Sequence, residues 1–152
     1  ARSRISVGGI YDTLEFYSAD GTSVGPVISD TLIAFYWSPD SSRLAYVTLA
    51  NQAAVFRWQV LDMVDGTVQF VTEFKPTGPQ ITLFQFFDQF SYSHQVWSPG
   101  SDALVFAGRL AGGVISGVSD LFLGSQIIVA NLDPTPSIRS IANGEMGFWS
   151  PR

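Results

Sequence analysis

The stretch IAFYWSPD at residues 33–40, followed by RLAYVTL at 43–49, places a tight polar turn between two apolar runs. Proline fixes φ at the second position of a type I turn, and Asp40-Ser41-Ser42 supplies polar residues for its tip. The string Trp-Ser-Pro returns at 97–99 and at 149–151, each time after an apolar stretch. The repeat predicts a strand, a tight turn and a second strand, arranged in the same way along the chain.

Further apolar runs follow each of the first two hairpins. FRWQVLDMV at 56–64 and TVQFVTEF at 67–74 follow the first, and SQIIVANL at 125–132 and SIRSIA at 137–142 follow the second. Runs of this length, rich in β-branched and aromatic residues, are typical of strands, and none of them carries a helical stripe of apolar residues. The chain is therefore expected to be all-β and built from units of four strands.

The two ends of the chain together supply a third unit. Residues 3–9, 13–19 and 23–29 are predicted strands, and the segment around Trp149 supplies the strand that this unit lacks. Four-stranded units with a period of ~40 to 45 residues are typical of propeller blades. We therefore predict one domain over residues 1–152, a β-propeller portion with three four-stranded blades, one of them split between the termini. The blades span approximately 146–152 plus 1–29, 32–74 and 91–142.

The repeat resembles that of TolB-like β-propellers, a WD40-like family. The resemblance rests on Trp-Ser-Pro-Asp, the Leu-Ala-Tyr-Val strand after it and the Asp-Gly turn beyond. It implies a six-bladed ring, a role in protein–protein interaction or beside a catalytic domain, and a place in the bacterial cell envelope. Gly100 and Arg152 stand where the repeat favours aspartate, which is expected to weaken those two turns. The structural repeat residues are Trp37, Pro39, Asp40, Trp97, Pro99, Trp149 and Pro151.

Two insertions lengthen the repeat, and both are expected on the face opposite the Trp-Ser-Pro turns. The first, residues 75–90, is predicted to connect two blades, and the second, residues 111–124, to form a long hairpin loop. Loops on a rigid scaffold carry function, so this elaborated face is the predicted binding site. Its aromatic rings either fold back over the blades as a local core or contact a partner. The candidate binding residues are Phe84, Phe86, Phe87, Asp88, Phe90, Asp120 and Phe122.

Charge is sparse and mostly negative. Only 14% of the residues are charged, and eight Lys and Arg against 13 Asp and Glu give a net charge of −5. With a single lysine, no basic patch can follow a phosphate backbone, so nucleic acid is excluded as a partner. The elaborated face is expected to be either an acidic mouth or an ordinary solvated surface, with Asp12, Asp30, Asp88, Asp120 and Glu145 against Lys75 and Arg109.

No catalytic set can be assembled from the sequence, so the chain is not expected to be an enzyme. Cysteine is absent and His94, the single histidine, is expected in the innermost strand of a blade, so no metal or other cofactor is predicted. Residues 21–25 have the Gly-x-Ser-x-Gly spacing of a hydrolase, but they open a strand after a hairpin turn. No apolar run approaches the ~20 residues of a membrane span, so no membrane insertion of this segment is expected.

Two functions of different classes stay open. The first is a non-catalytic propeller module that binds a protein or peptide through the elaborated face. The alternative is the propeller portion of a multidomain hydrolase, similar to prolyl oligopeptidases, whose catalytic domain lies outside this chain.

Three blades cannot close a ring, because propellers have at least ~4 blades. We therefore expect a homodimer with a six-bladed ring, in which residues 146–150 of one copy pair with residues 3–9 of the other. In the alternative, the chain is half of a longer single-chain propeller.

Overall fold

The computed structural model describes residues 2–6, 10–25, 27–50, 54–111 and 124–150, and of residues 2–6 it describes the backbone alone. Within them the fold is mostly β, as predicted, and the strands form one open antiparallel sheet in chain order. The elements are β1 (Arg2–Ser6), β2 (Ile10–Glu15), β3 (Leu32–Trp37), β4 (Arg43–Leu49), β5 (Phe56–Asp62), β6 (Val68–Pro76), α1 (Gly78–Gln85), α2 (Phe87–Phe90), β7 (Ala103–Leu110), β8 (Gln126–Asn131) and β9 (Ser137–Asn143).

The sheet is not paired evenly along its width. Strands β3 to β6 pair with their neighbours along most of their lengths, and so do β7 to β9. In contrast, β2 meets β3 through one residue pair, Tyr11 with Leu32. Strand β6 meets β7 only at its last residues, Phe74 to Pro76. Two narrow joints therefore separate three groups of strands in the described sheet.

The first two Trp-Ser-Pro turns share one hydrogen-bonding pattern. The N–H of Ser38 donates to the Arg43 carbonyl oxygen at 2.9 Å, and the N–H of Ser98 donates to the Ala103 carbonyl oxygen at 2.8 Å. The Ser38 hydroxyl in turn accepts from the Arg43 N–H at 2.9 Å, and the Ser98 hydroxyl accepts from the Ala103 N–H at 3.0 Å. The third residue beyond each serine has the same φ of 61°. The repeated string therefore specifies a repeated turn, as predicted.

An aspartate stabilises each of these turns, from a different position. The hydroxyl of Ser38 donates to the Asp40 carboxylate at 2.6 Å, and that of Ser98 donates to the Asp102 carboxylate at 2.6 Å. In the second turn Asp102 supplies the acceptor that Gly100 lacks, and whether this turn is weaker than the first stays a prediction.

The largest core cluster contains residues from β3 to β8 and is rich in aromatic rings. Trp58 and Phe74 are fully buried, and their rings stack nearly parallel with centroids 6.4 Å apart. Phe106 packs against Phe74 at 4.6 Å. Aromatic pairs of this kind contribute ~0.5 to 1.5 kcal/mol each beyond the area that they bury. A second cluster, which includes Leu14 and Leu61, packs β2 against β4 and β5.

The first insertion, residues 75–90, connects β6 to β7 and contains two helices that the sequence analysis did not predict. Strand β6 continues to Pro76, and α1 begins after Thr77, whose hydroxyl accepts from the N–H of Gln80 at 3.1 Å. A threonine N-cap with a proline in the first turn favours a helix start. The Thr77 hydroxyl also donates to the Glu145 carbonyl oxygen, which ties α1 to the C-terminal segment.

Among the described residues, no helix has the length and apolar character that crossing a bilayer requires.

The strand expected over residues 23–29 is reduced to two isolated bridges. Ser23 pairs with Tyr17, and Ile28 pairs with Leu14. Gly25, between them, has a φ of 78°, a left-handed conformation that interrupts an extended strand.

The strand expected before the second Trp-Ser-Pro turn is also reduced to two bridges. Gln95 pairs with Trp149, and Trp97 pairs with Leu104. His94 lies before these bridges in an irregular stretch, so its predicted place in a strand is wrong. Helix α2 and the turn after it occupy the chain up to this point and leave few residues for an extended strand.

Candidate functional site

A cavity of about 700 Å³ lies along the inner strand of the first hairpin. We call it the aromatic groove. It is lined by Tyr11 of β2, by Phe35, Tyr36 and Trp37 of β3, by Phe87 and Asp88 of α2, and by Tyr92, Gln95 and Trp97 of the segment that leads to β7.

Phe87 of α2 forms the centre of the groove's inner wall. Its ring lies 4.8 Å from that of Phe35 and 5.9 Å from those of Tyr11 and Tyr36, measured between centroids. The indole N–H of Trp97 donates to the Tyr36 carbonyl oxygen at 2.9 Å. These contacts fix rings from β2, β3 and α2 against one another and form the wall of the groove.

Two aromatic rings at the groove keep a large exposed surface. Trp37 is 41% exposed, although its ring meets Phe16 edge to face at 5.8 Å. Tyr92 is 87% exposed. Exposed tryptophan and tyrosine rings beside a formed apolar wall are typical of binding surfaces, because they supply large contact areas at low entropic cost.

The groove carries one negative charge. Burial raises the pKa of the Tyr11 phenol, and the nearby Asp88 carboxylate raises it further. Burial also raises the pKa of Tyr36. Both phenols are therefore neutral at pH 7, and Asp88 is the only charged side chain among the described residues that line the groove.

Among the described side chains, no arginine or lysine pairs with the Asp88 carboxylate. It is exposed, and one of its oxygens accepts from the neighbouring Gln89 N–H at 3.0 Å. The two ion pairs of the described residues lie elsewhere, Arg43 with Asp133 and Arg57 with Glu73.

The predicted binding residues of the first insertion divide into four environments. Phe87 and Asp88 line the groove. Phe84 is fully buried among core rings and lies outside the groove, whereas Phe86 is 45% exposed. Phe90 is partly buried against the His94 ring, at 5.2 Å. Phe84 and Phe87 are therefore part of a local core, and contact of the exposed rings with a partner stays a prediction. Asp120 and Phe122 lie outside the described residues.

The groove also contains residues that were not predicted to bind a partner. Trp37 and Trp97, predicted as structural residues of the repeat, both line it. Trp37 is 41% exposed, whereas Trp97 is 2% exposed. Tyr11, Phe35 and Tyr92 were not selected at all. One signal was available: Phe35 and Trp37 are two residues apart on a strand, so they lie on one face.

The tryptophan of the third Trp-Ser-Pro string contacts the segment that precedes the second string. Trp149 lies in an isolated bridge with Gln95, to whose carbonyl oxygen its N–H donates at 2.7 Å. Its indole nitrogen is buried and has no hydrogen-bond partner among the described residues. Pro151 lies outside the described residues, so the third turn is not compared with the others.

The residues considered for catalysis are not assembled into a site. The Nδ1 atom of His94 lies 2.8 Å from the Ser93 hydroxyl, and its ring packs against Phe148 at 4.5 Å. Ser23 lies in the bridge to Tyr17 instead. Among the described residues, no group of three or more histidine, aspartate or glutamate side chains is placed to hold a metal ion.

Two comparisons with known proteins found no relative of this chain. No protein-family model matches the chain, and no curated protein matches it significantly.

Proposed function

We propose that the chain is a non-catalytic β-propeller module of the TolB-like type that binds a protein or peptide segment in the aromatic groove. The observation that carries this proposal is the groove itself, whose volume of about 700 Å³ lies in the range typical of ligand sites, ~300 to 1,000 Å³. Exposed Trp37 and Tyr92 supply anchors, and Pro39 continues the apolar lining. Aromatic-lined grooves of this kind suit extended peptides with apolar side chains.

The pairing of the strands supports the assignment to blades. Strands β3 to β6 form a four-stranded antiparallel unit over residues 32–76, close to the predicted blade at 32–74. The narrow joints on either side of this unit, at Tyr11 and at the end of β6, are where neighbouring blades would meet. In this proposal the groove lies along the inner strands of two successive blades.

Exposed apolar surface at the C-terminal side supports closure of the ring by a second copy. A cavity of about 300 Å³ lies over β7 and β8 and is lined in part by Met146 and Phe148. These two side chains are 38% and 44% exposed, and Ile141 beside them is 53% exposed. Among the described strands, β1 lies at one edge of the sheet, and an edge strand has backbone groups that can pair with a further strand. The proposed pairing joins residues 146–150 of one copy to β1 of the other.

Light scattering tests this closure. We expect a particle of about 33 kDa, twice the 16.5 kDa of one chain, and a shift toward 16.5 kDa or aggregates for Phe148→Asp. The matched control is Phe70→Asp, because Phe70 is 56% exposed on β6 and lies outside this surface. A folded 16.5 kDa wild-type monomer would contradict closure by a second copy.

Selection from a random peptide library on the immobilised protein tests binding in the groove. We expect the selected peptides to bind Tyr92→Ala at least about tenfold more weakly than wild type, because aromatic anchors carry much of the binding free energy. Phe70→Ala is the matched control, since it removes an exposed ring outside the groove. Peptides that bind Tyr92→Ala as tightly as wild type would refute the groove as the site.

A further inference from the structure

We propose that the aromatic groove recognises an arginine side chain of its protein or peptide partner, held between the Trp37 and Tyr92 rings and the Asp88 carboxylate. This inference rests on the proposed function and names the chemistry of the partner.

Charge complementarity selects a cation as the occupant. Asp88 is the one charged group among the described residues that line the groove, and no described arginine or lysine pairs with it. The chain as a whole carries a net charge of −5, so the long-range field also attracts a positive partner. A carboxylate beside an apolar wall favours an occupant that neutralises its charge and also covers the neighbouring rings.

The aromatic rings favour a guanidinium over other cations. Tyr92 is 87% exposed and Trp37 is 41% exposed, so both offer ring surface to a ligand. A planar guanidinium stacks on such rings and at the same time donates two parallel hydrogen bonds to a carboxylate. Lysine carries a compact ammonium group that cannot stack in this way. Among the described residues only the Gln89 N–H donates to the Asp88 carboxylate, and it does so to one of the two oxygens.

The test compares capped peptides that differ in one side chain. Acetyl-Pro-Arg-Pro-amide is titrated into the full chain, and binding is followed by tryptophan fluorescence, since Trp37 and Trp97 both line the groove. The comparison peptides carry citrulline, lysine or glutamate in place of arginine; citrulline has the shape of arginine without its charge. We expect the arginine peptide to bind about tenfold more tightly than the citrulline peptide, because a charge-assisted hydrogen bond is lost.

Variants at Asp88 assign the preference to this carboxylate. In Asp88→Asn we expect the arginine and citrulline peptides to bind within about twofold of each other, while Asp88→Glu keeps part of the preference. Asp30→Asn is a matched control: Asp30 is also exposed, also accepts from the next residue's N–H, at 2.7 Å, and lies outside the groove. Should Asp88→Asn fail to fold, 1 M salt with the wild-type protein gives a second measurement, because it weakens the same preference by screening.

Each of the following outcomes would overturn the inference, and they differ in what they imply for the proposed function. Equal binding of the arginine and citrulline peptides to wild type would show that the groove does not read charge. Equal binding of the lysine and arginine peptides would show that it reads charge without recognising the guanidinium. If library-selected peptides bind in the groove and lack arginine, the proposed function stands and the arginine site falls. If no peptide binds through Tyr92, both fall.

Discussion

Replacing Phe84 with alanine tests whether α1 belongs to the core of the sheet. The Phe84 side chain is fully buried, and its ring lies 5.6 Å from Trp58, 6.1 Å from Phe56 and 6.2 Å from Phe74. Truncating a buried phenylalanine to alanine removes these contacts and leaves a cavity, at a cost of ~3 to 5 kcal/mol. We therefore expect the free energy of unfolding of Phe84→Ala to fall by about that amount.

Phe86→Ala is the matched control, because Phe86 lies two residues along and is 45% exposed. Its substitution is expected to change the free energy of unfolding by less than ~0.5 kcal/mol. Urea denaturation followed by tryptophan fluorescence measures the free energy of unfolding of both variants. The two values can be compared if the m-value is unchanged. For a chain of this size the midpoint of thermal unfolding of Phe84→Ala falls by roughly 6 to 20 °C. A loss below ~1 kcal/mol, or equal losses in both variants, would refute the placement of α1 in the core.

Two further predictions concern the joint between β6 and β7 and the stability of the turns in acid. In Gly108→Ala the new Cβ would lie 2.4 Å from the Lys75 carbonyl oxygen. We therefore expect the free energy of unfolding, measured by urea denaturation, to fall by ~1 to 3 kcal/mol or more. Gly78→Ala is the control, because its new Cβ meets nothing within 4 Å, and its free energy of unfolding is expected to be unchanged. Hydrogen bonds from serine hydroxyls lower the pKa of Asp20 and of Asp40 to about 2 from 3.8. Because both pKa values are lowered by folding, this stabilisation is present above pH 3.8 and is lost as the pH falls toward 2. Urea midpoints measured across this range are expected to decline, and less so in Asp40→Asn; a flat profile for wild type would contradict the prediction.

Local sequence signals predicted the hairpins well. Residues 43–49 are predicted as a strand and β4 has the same bounds, and the run at 56–64 contains β5. The reason is physical: apolar runs of strand length between turn residues leave few alternatives, and the serine of each Trp-Ser-Pro string closes its own turn through nearby backbone groups. Such signals lie within about ten residues of one another, so a single sequence contains them.

Other elements depend on signals that compete or that come from distant parts of the chain. The start of α1 is marked locally by the Thr77 N-cap and by Pro79. The repeat predicted only that this segment connects two blades, so the helix was not predicted. The strand expected before Trp97 is reduced to isolated bridges because α2 occupies the residues that precede it. The groove is the extreme case, because Tyr11, Trp37 and Asp88 come from three separate segments whose proximity is set by the packing of α2. No local pattern predicts that packing.

The difference between the first two repeat tryptophans explains how one string contributes both to the core and to the site. The two turns are adjacent, since the Ser101 hydroxyl accepts from the Asp40 N–H at 3.2 Å. With the turns held side by side, the Trp97 indole reaches the Tyr36 carbonyl oxygen and is buried. Among the described residues the Trp37 indole has no such bond, and Trp37 keeps 41% of its surface exposed at the groove. Contact between successive repeats therefore buries one tryptophan and leaves the other available to a ligand, so the site follows from the repeat as well as from the insertion that carries Asp88.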